Sequence, residues 1–112
     1  MQSKLLKYIL DIERVIEEIE SIKQKSKHDF NNFSHDIIFQ RAVERDLEII
    51  GEAVRRIIDL NPNIQITASK NIIGLRNIIS HAYDSVEPEM LWGIIQKNIP
   101  VLADEIQKLK GV

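Results

Sequence analysis

Apolar side chains recur along this chain at the three- and four-residue intervals of an α-helix, and nowhere alternate as strands require. From Ser3 to about Lys25, Leu5, Leu6, Ile9, Ile12, Val15, Ile16, Ile19 and Ile22 form one stripe, with Ser3 placed to cap its start. The opposite face carries Glu13, Glu17, Glu18, Glu20 and several lysines, which read as solvated surface. The repeat is close to a heptad but too short to require a long coiled coil. Ser26 to Ser34 is polar and reads as a connection. A second helix is predicted from about Ser34 to Leu60, capped by Ser34 or Asp36. Its buried stripe is Ile37, Ile38, Ala42, Val43, Leu47, Ile50, Ala53, Val54, Ile57 and Ile58. Asn61-Pro62-Asn63 ends it, because proline cannot extend the hydrogen-bond ladder. Gly51 is costly in mid-helix and is read as a point where a neighbouring helix comes close. Arg41, Glu44, Arg45 and Glu48 are spaced for same-face ion pairs, each worth little.

Ile64 to Ser69 is a short connection, with Thr67 or Ser69 available to cap a third helix that runs through Gly74 and frays near Tyr83. Asp84-Ser85 then makes a turn. Glu87-Pro88 opens the last helix, where a first-turn proline does no harm. Met90, Leu91, Ile94, Ile95, Ile99, Leu102, Ile106 and Leu109 are its stripe. Pro100 predicts a kink or a break near Asn98, and Gly111 closes the helix. Four helices with modest connections predict an all-α, antiparallel up-and-down bundle, one domain over residues 1–112. The stripes of the first two helices are wide for a lone small bundle, so a symmetric homodimer is expected to cover the excess.

Composition adds limits. With 112 residues, 44% hydrophobic and 29% charged, the chain can bury a core without disulfides or a metal. It has no cysteine, which removes disulfide frameworks and thiolate zinc sites and suits a reducing cytoplasm, the expected location. Lys4, Lys7, Asp11, Glu13 and Arg14 interrupt every early apolar run, so neither a signal peptide nor a membrane span is expected. A net charge of −2 argues mildly against a general polyanion coat, and no DNA partner is expected; a cationic cleft remains compatible with it. His28, Asp29, Asn31, Asn32 and His35 lie close in sequence, but no compact two-histidine helix motif joins them. They read as exposed loop residues, and neither a metal nor a cofactor is expected.

The densest chemistry is in GLRNIISHAYDSV, Gly74 to Val86. At roughly 100° per residue, Arg76 and Tyr83 share a bearing, with Ser80 beside them. Asn77 and His81, four apart, stack about a third of a turn further round. Leu75, Ile78, Ile79 and Ala82 take the opposite side. A fixed cation, an imidazole, an amide, a hydroxyl and a phenol thus share one arc. This arc has a structural reading: His81 and Asn77 packed at a helix interface, Arg76 tied to Glu44, Glu48 or Glu52, and Tyr83 a core ring with its hydroxyl at the rim. It also has a chemical one: the imidazole of His81 can accept or donate a proton near neutrality, and the guanidinium of Arg76 presents a fork of donors suited to phosphate oxygens. Asn77 could hold the imidazole or a phosphate oxygen, and Ser80 could add a hydrogen bond. Trp92 reads as a core or dimer-contact anchor, since one aromatic does not make an RNA track.

The run Arg76-Asn77-Ile78-Ile79-Ser80-His81-Ala82-Tyr83 resembles the Arg-x4-His-x-Tyr motif of the HepT toxins of the HEPN superfamily. Arg45-Asp46-Leu47-Glu48-Ile49-Ile50-Gly51-Glu52-Ala53 is similar to that family's second helix, and Gly74-Leu75, Val86 and Met90-Leu91-Trp92 also fit. The resemblance implies a dimer whose two Arg/His motifs line one cleft, with metal-independent endoribonuclease chemistry. On it, Arg76 and His81 are catalytic and Asn77 and Ser80 supporting. It also implies a small, MntA-like nucleotidyltransferase antitoxin that silences the toxin by transferring AMP to Tyr83. A non-catalytic alternative stands beside it: a nucleotide-binding or docking subunit of a nucleotidyltransferase complex.

Overall fold

The computed structural model describes residues 3–67, 71–74 and 86–111. Among them the regular structure is entirely helical: α1 (Ser3–Lys25), α2 (Phe30–Ser34), α3 (Ile37–Leu60) and α4 (Pro88–Lys110), with residues 71–74 also helical. None of these helices is long and apolar enough to cross a membrane. Helix α1 has the predicted bounds, and Ile9, Ile12, Val15, Ile16, Ile19 and Ile22 of its stripe are buried.

The turn after α1 is not a loose connection. The His28 N–H donates to the Lys23 carbonyl at 2.8 Å and the Lys27 N–H to the Gln24 carbonyl at 2.9 Å. This paired pattern ends a helix through a left-handed residue. Lys27 (φ 58°) and His28 (φ 54°) both take that conformation although neither is glycine. The Asp29 carboxylate then accepts from the Asn31 N–H at 2.7 Å and starts α2, a five-residue helix where the sequence predicted only a connection. A helix this short cannot persist alone. It is held by Phe33, fully buried, whose ring lies 5.1 Å from that of Trp92 in α4. Phe30 adds a second tilted contact with Trp92 at 6.0 Å. Trp92 is therefore a core anchor, one of the two roles expected for it.

Helix α3 begins at Asp36, whose carboxylate accepts from the Ile38 and Phe39 N–H groups at 3.0 and 3.1 Å. It ends at Asn61, whose side chain accepts from the Asn63 N–H. Helix α1 runs opposite to α3. Lys7, Tyr8 and Asp11 share a groove with Glu48, Ile49, Glu52 and Ala53, whereas Glu18, Ser21, Ile22 and Lys25 share one with Ala42, Arg45 and Asp46. It also opposes α4: Glu13 accepts from Gln107 at 2.7 Å and pairs with Lys110 at 3.0 Å, while Ile16 and Glu17 lie beside Ala103 and Ile106. This antiparallel packing forms the helical bundle. Its core joins the α1 stripe to Val43, Leu47, Ile50, Val54 and Ile57 of α3 and to Leu91, Ile95, Ile99, Leu102 and Ile106 of α4.

The structure corrects several stripe positions. Ile37 and Ile38 are exposed, at 56% and 74%. Since Lys25, the last residue of α1, lies beside Ala42, the first turn of α3 projects past the end of its partner. Leu6 and Met90, near helix starts, are also exposed. Helix α4 is continuous from Pro88 to Lys110, so Pro100 does not break it. Pro100 is exposed while Ile99 and Leu102 beside it are fully buried. Core packing on the inner face thus holds the helix across a missing N–H.

Candidate functional site

Arg76, Asn77, Ser80, His81 and Tyr83 lie within 75–85, outside the described residues. Their frame is described on both sides. On the approach, Ile66 and Ile72 are buried. The Glu105 carboxylate of α4 accepts from the Thr67 N–H at 2.9 Å and from its hydroxyl at 2.9 Å. Thr67 thus donates its hydroxyl proton to α4; the helix-capping role expected for it falls on residues 68–70, outside the described residues. On the return, Val86 packs against the core, Pro88 occupies the first position of α4, and Leu91 is fully buried one turn on. The sequence folds this way because apolar residues bracket the polar run at both ends.

The run Arg45 to Ala53 in α3 divides by face. Leu47, Ile50, Gly51 and Ala53 are buried. Glu48 and Glu52 are half-buried at a groove of about 350 Å³ shared with Lys7, Tyr8 and Asp11 of α1. Lys7 pairs with Asp11 at 2.8 Å and lies 5.0 Å from the centre of the Tyr8 ring. Its ammonium is held above its usual range, chiefly by the hydrogen bond to Asp11. Arg56 donates to Glu52 at 3.0 Å, and Arg41 pairs with Glu44 at 3.0 Å. Three of the groove's four charged side chains are acidic.

Asp46 is the residue that sequence reasoning passed over. It is 3% exposed, and burial, then the hydrogen bond and charge of Glu18, push its carboxyl up to about 8, with Arg45 acting weakly the other way. The available signal was its register: Asp46 lies three residues after Val43 and four before Ile50, inside the apolar stripe. Gln40 is likewise buried, where its amide donates to the Phe33 and Ser34 carbonyls at 3.1 and 3.0 Å and ties α2 to α3.

The polar groups between Ser26 and His35 serve the backbone. Asp29 caps α2, Asn32 donates to the Ser26 carbonyl at 2.9 Å, and His35 Nδ1 lies 2.8 Å from the Asn31 carbonyl. Among the described residues no cluster of three or more histidine or acidic side chains could hold a metal ion.

Comparison with known proteins gives a consistent pattern. A family model described as "Ribonuclease HepT-like" matches residues 12–109, a span that includes 76–83. The "Probable ribonuclease HepT" of Thermococcus cleftensis is 35% identical over 107 residues, covering 92% of this chain and 93% of that protein. "Putative RNase MJ1380" of Methanocaldococcus jannaschii is 36% identical over 80 residues, covering 70% and 73%. "Putative RNase TTE0752" of Caldanaerobacter subterraneus is 31% identical over 100 residues, covering 88% and 89%. No solved structure matches the chain.

Proposed function

Because the chain belongs to the Ribonuclease HepT-like family, we propose that it is an endoribonuclease toxin that cuts RNA without a metal ion. The carrying observation is that the family match extends across Arg76-x4-His81-x-Tyr83. His81 moves the proton: it takes it from the 2′-hydroxyl, or delivers one to the departing 5′-oxygen, as the 2′-oxygen attacks phosphorus and the P–O5′ bond breaks. Arg76 presents its donors to the phosphorane oxygens, whose charge grows in the transition state. Asn77 orients the imidazole or the phosphate, and Ser80 adds a hydrogen bond. The products are a 2′,3′-cyclic phosphate and a 5′-hydroxyl.

In this reading the active unit is a homodimer in which two Arg/His sets face one phosphodiester. Leu6 and Leu10, exposed one turn apart on α1, supply apolar surface for a second copy to cover. Tyr83 is the brake: a nucleotidyltransferase antitoxin transfers AMP from ATP to it, the phenol oxygen losing its proton as it attacks the α-phosphorus and pyrophosphate departing. The test is cleavage of RNA by purified chain in the presence of EDTA. The wild type cleaves and leaves cyclic phosphate ends, whereas His81→Ala loses at least about a hundredfold of the rate with an unchanged circular dichroism spectrum. Co-expression with a nucleotidyltransferase adds mass in AMP steps to the wild type and none to Tyr83→Phe. Modification without EDTA-resistant cleavage by any preparation of unmodified wild type would refute the nuclease and leave a docking subunit.

A further inference from the structure

Asp46 is an ionisable group in an apolar stripe, and the proposed ribonuclease chemistry does not use it. It is nine-tenths and more buried on α3, and its Oδ2 has no hydrogen-bond partner among the described residues. Glu18 of α1 is the other carboxyl at the same seam, where Ser21, Ile22 and Lys25 of α1 and Ala42 and Arg45 of α3 complete a groove of about 260 Å³. Lys25 and Arg45 are the cations there, both exposed. Glu18, itself exposed, and the buried Asp46 thus line one groove between two packed helices, and among the described residues no buried cation lines it with them.

Two such carboxylates cannot both ionise cheaply. The buried one loses its hydration, and each raises the other's cost. With one proton kept between them they become a carboxylic acid donating to a carboxylate, a charge-assisted hydrogen bond from one helix to the other. We propose that Asp46 and Glu18 form a proton-operated latch on the α1–α3 seam. One retained proton ties the helices together; its release sets two carboxylates against each other and opens the groove. The cause of the upward shift is burial first, then Glu18, with Arg45 opposing. The sign follows. The unfolded chain gives up this proton in the ordinary carboxylate range near 4, whereas the folded chain keeps it to about 8. Stability is thus complete at low pH and falls as pH rises through that window.

The test uses the full chain. Carbon-13 resonances follow the Asp46 carboxyl through a pH titration, and thermal unfolding is followed from about pH 5 to 9 for wild type, Asp46→Asn and Glu18→Gln. The Asp46 resonance should titrate above pH ~6, and the wild-type melting temperature should fall toward pH 9. That fall should flatten in Asp46→Asn, whose amide donates to Glu18 with no proton to lose. Wild type and Asp46→Asn differ only at this side chain, so the difference in slope isolates Asp46. Glu18→Gln should move the Asp46 midpoint downward. A midpoint near 4 in the wild type, or melting curves with the same pH slope in wild type and both variants, would overturn the latch. If Asp46→Asn does not fold, the wild-type resonance and Glu18→Gln decide the matter.

Discussion

Replacing Phe33 with alanine should remove the clamp that holds α2 against α4. Phe33 is fully buried and its ring lies 5.1 Å from Trp92 at 40°. Emptying a buried phenylalanine site costs about 3–5 kcal/mol, and a tilted ring pair carries about 0.5–1.5 kcal/mol beyond its buried area. Helix α2 has only five residues and can sag into the space, which recovers some of the loss. A net cost of about 4 kcal/mol is expected, a large share of the ~5–15 kcal/mol available to a domain. For a chain of this size that corresponds to a drop in melting temperature of roughly 12–20 °C. Trp92 is the only tryptophan, so its fluorescence in a urea titration reports on this contact directly. Protein concentration must be held fixed, because association would add to the apparent stability. Phe33→Leu should recover more than half of the loss. A cost below about 1 kcal/mol, with Trp92 emission unchanged, would refute the docking of α2 described above.

Two further substitutions probe the helix ends. Asp36→Ala removes the acceptor of the Ile38 and Phe39 N–H groups and should cost about 1 kcal/mol in urea unfolding, with Asp36→Asn recovering most of it. Lys27→Gly should stabilise by about 0.5–1 kcal/mol, since Lys27 occupies the left-handed position that glycine fills without strain; Lys27→Val should instead destabilise.

The long helices were legible because their evidence is redundant. In α1 Ile9, Ile12, Val15, Ile16, Ile19 and Ile22 agree on one buried face, and Asn61-Pro62 closes α3 by chemistry that allows little else. Family membership was legible for the same reason: Arg76, His81, Tyr83 and the run in α3 are separate signals that agree. Helix α2 was not, because five residues are too few to show a period and its stability comes from Trp92, some sixty residues away. The exposure of Ile37 and Ile38 depends on where α1 stops, which is a fact about the partner helix. Asp46 was hidden by its own type, since a carboxylate in a helix is ordinarily surface. Lys23 misled in the same way: its stem is buried while its ammonium reaches Glu20 at 3.5 Å.

The grip of Glu105 on Thr67 has a mechanical consequence. Helix α4 receives the chain at Pro88 and holds the approach at Glu105, points separated by roughly 26 Å of helix, 17 residues at ~1.5 Å each. One rod therefore carries both fastenings of the span that contains Arg76 and His81. Tilting that rod would displace Thr67 and Pro88 together, the points where the chain leaves for the span and returns from it.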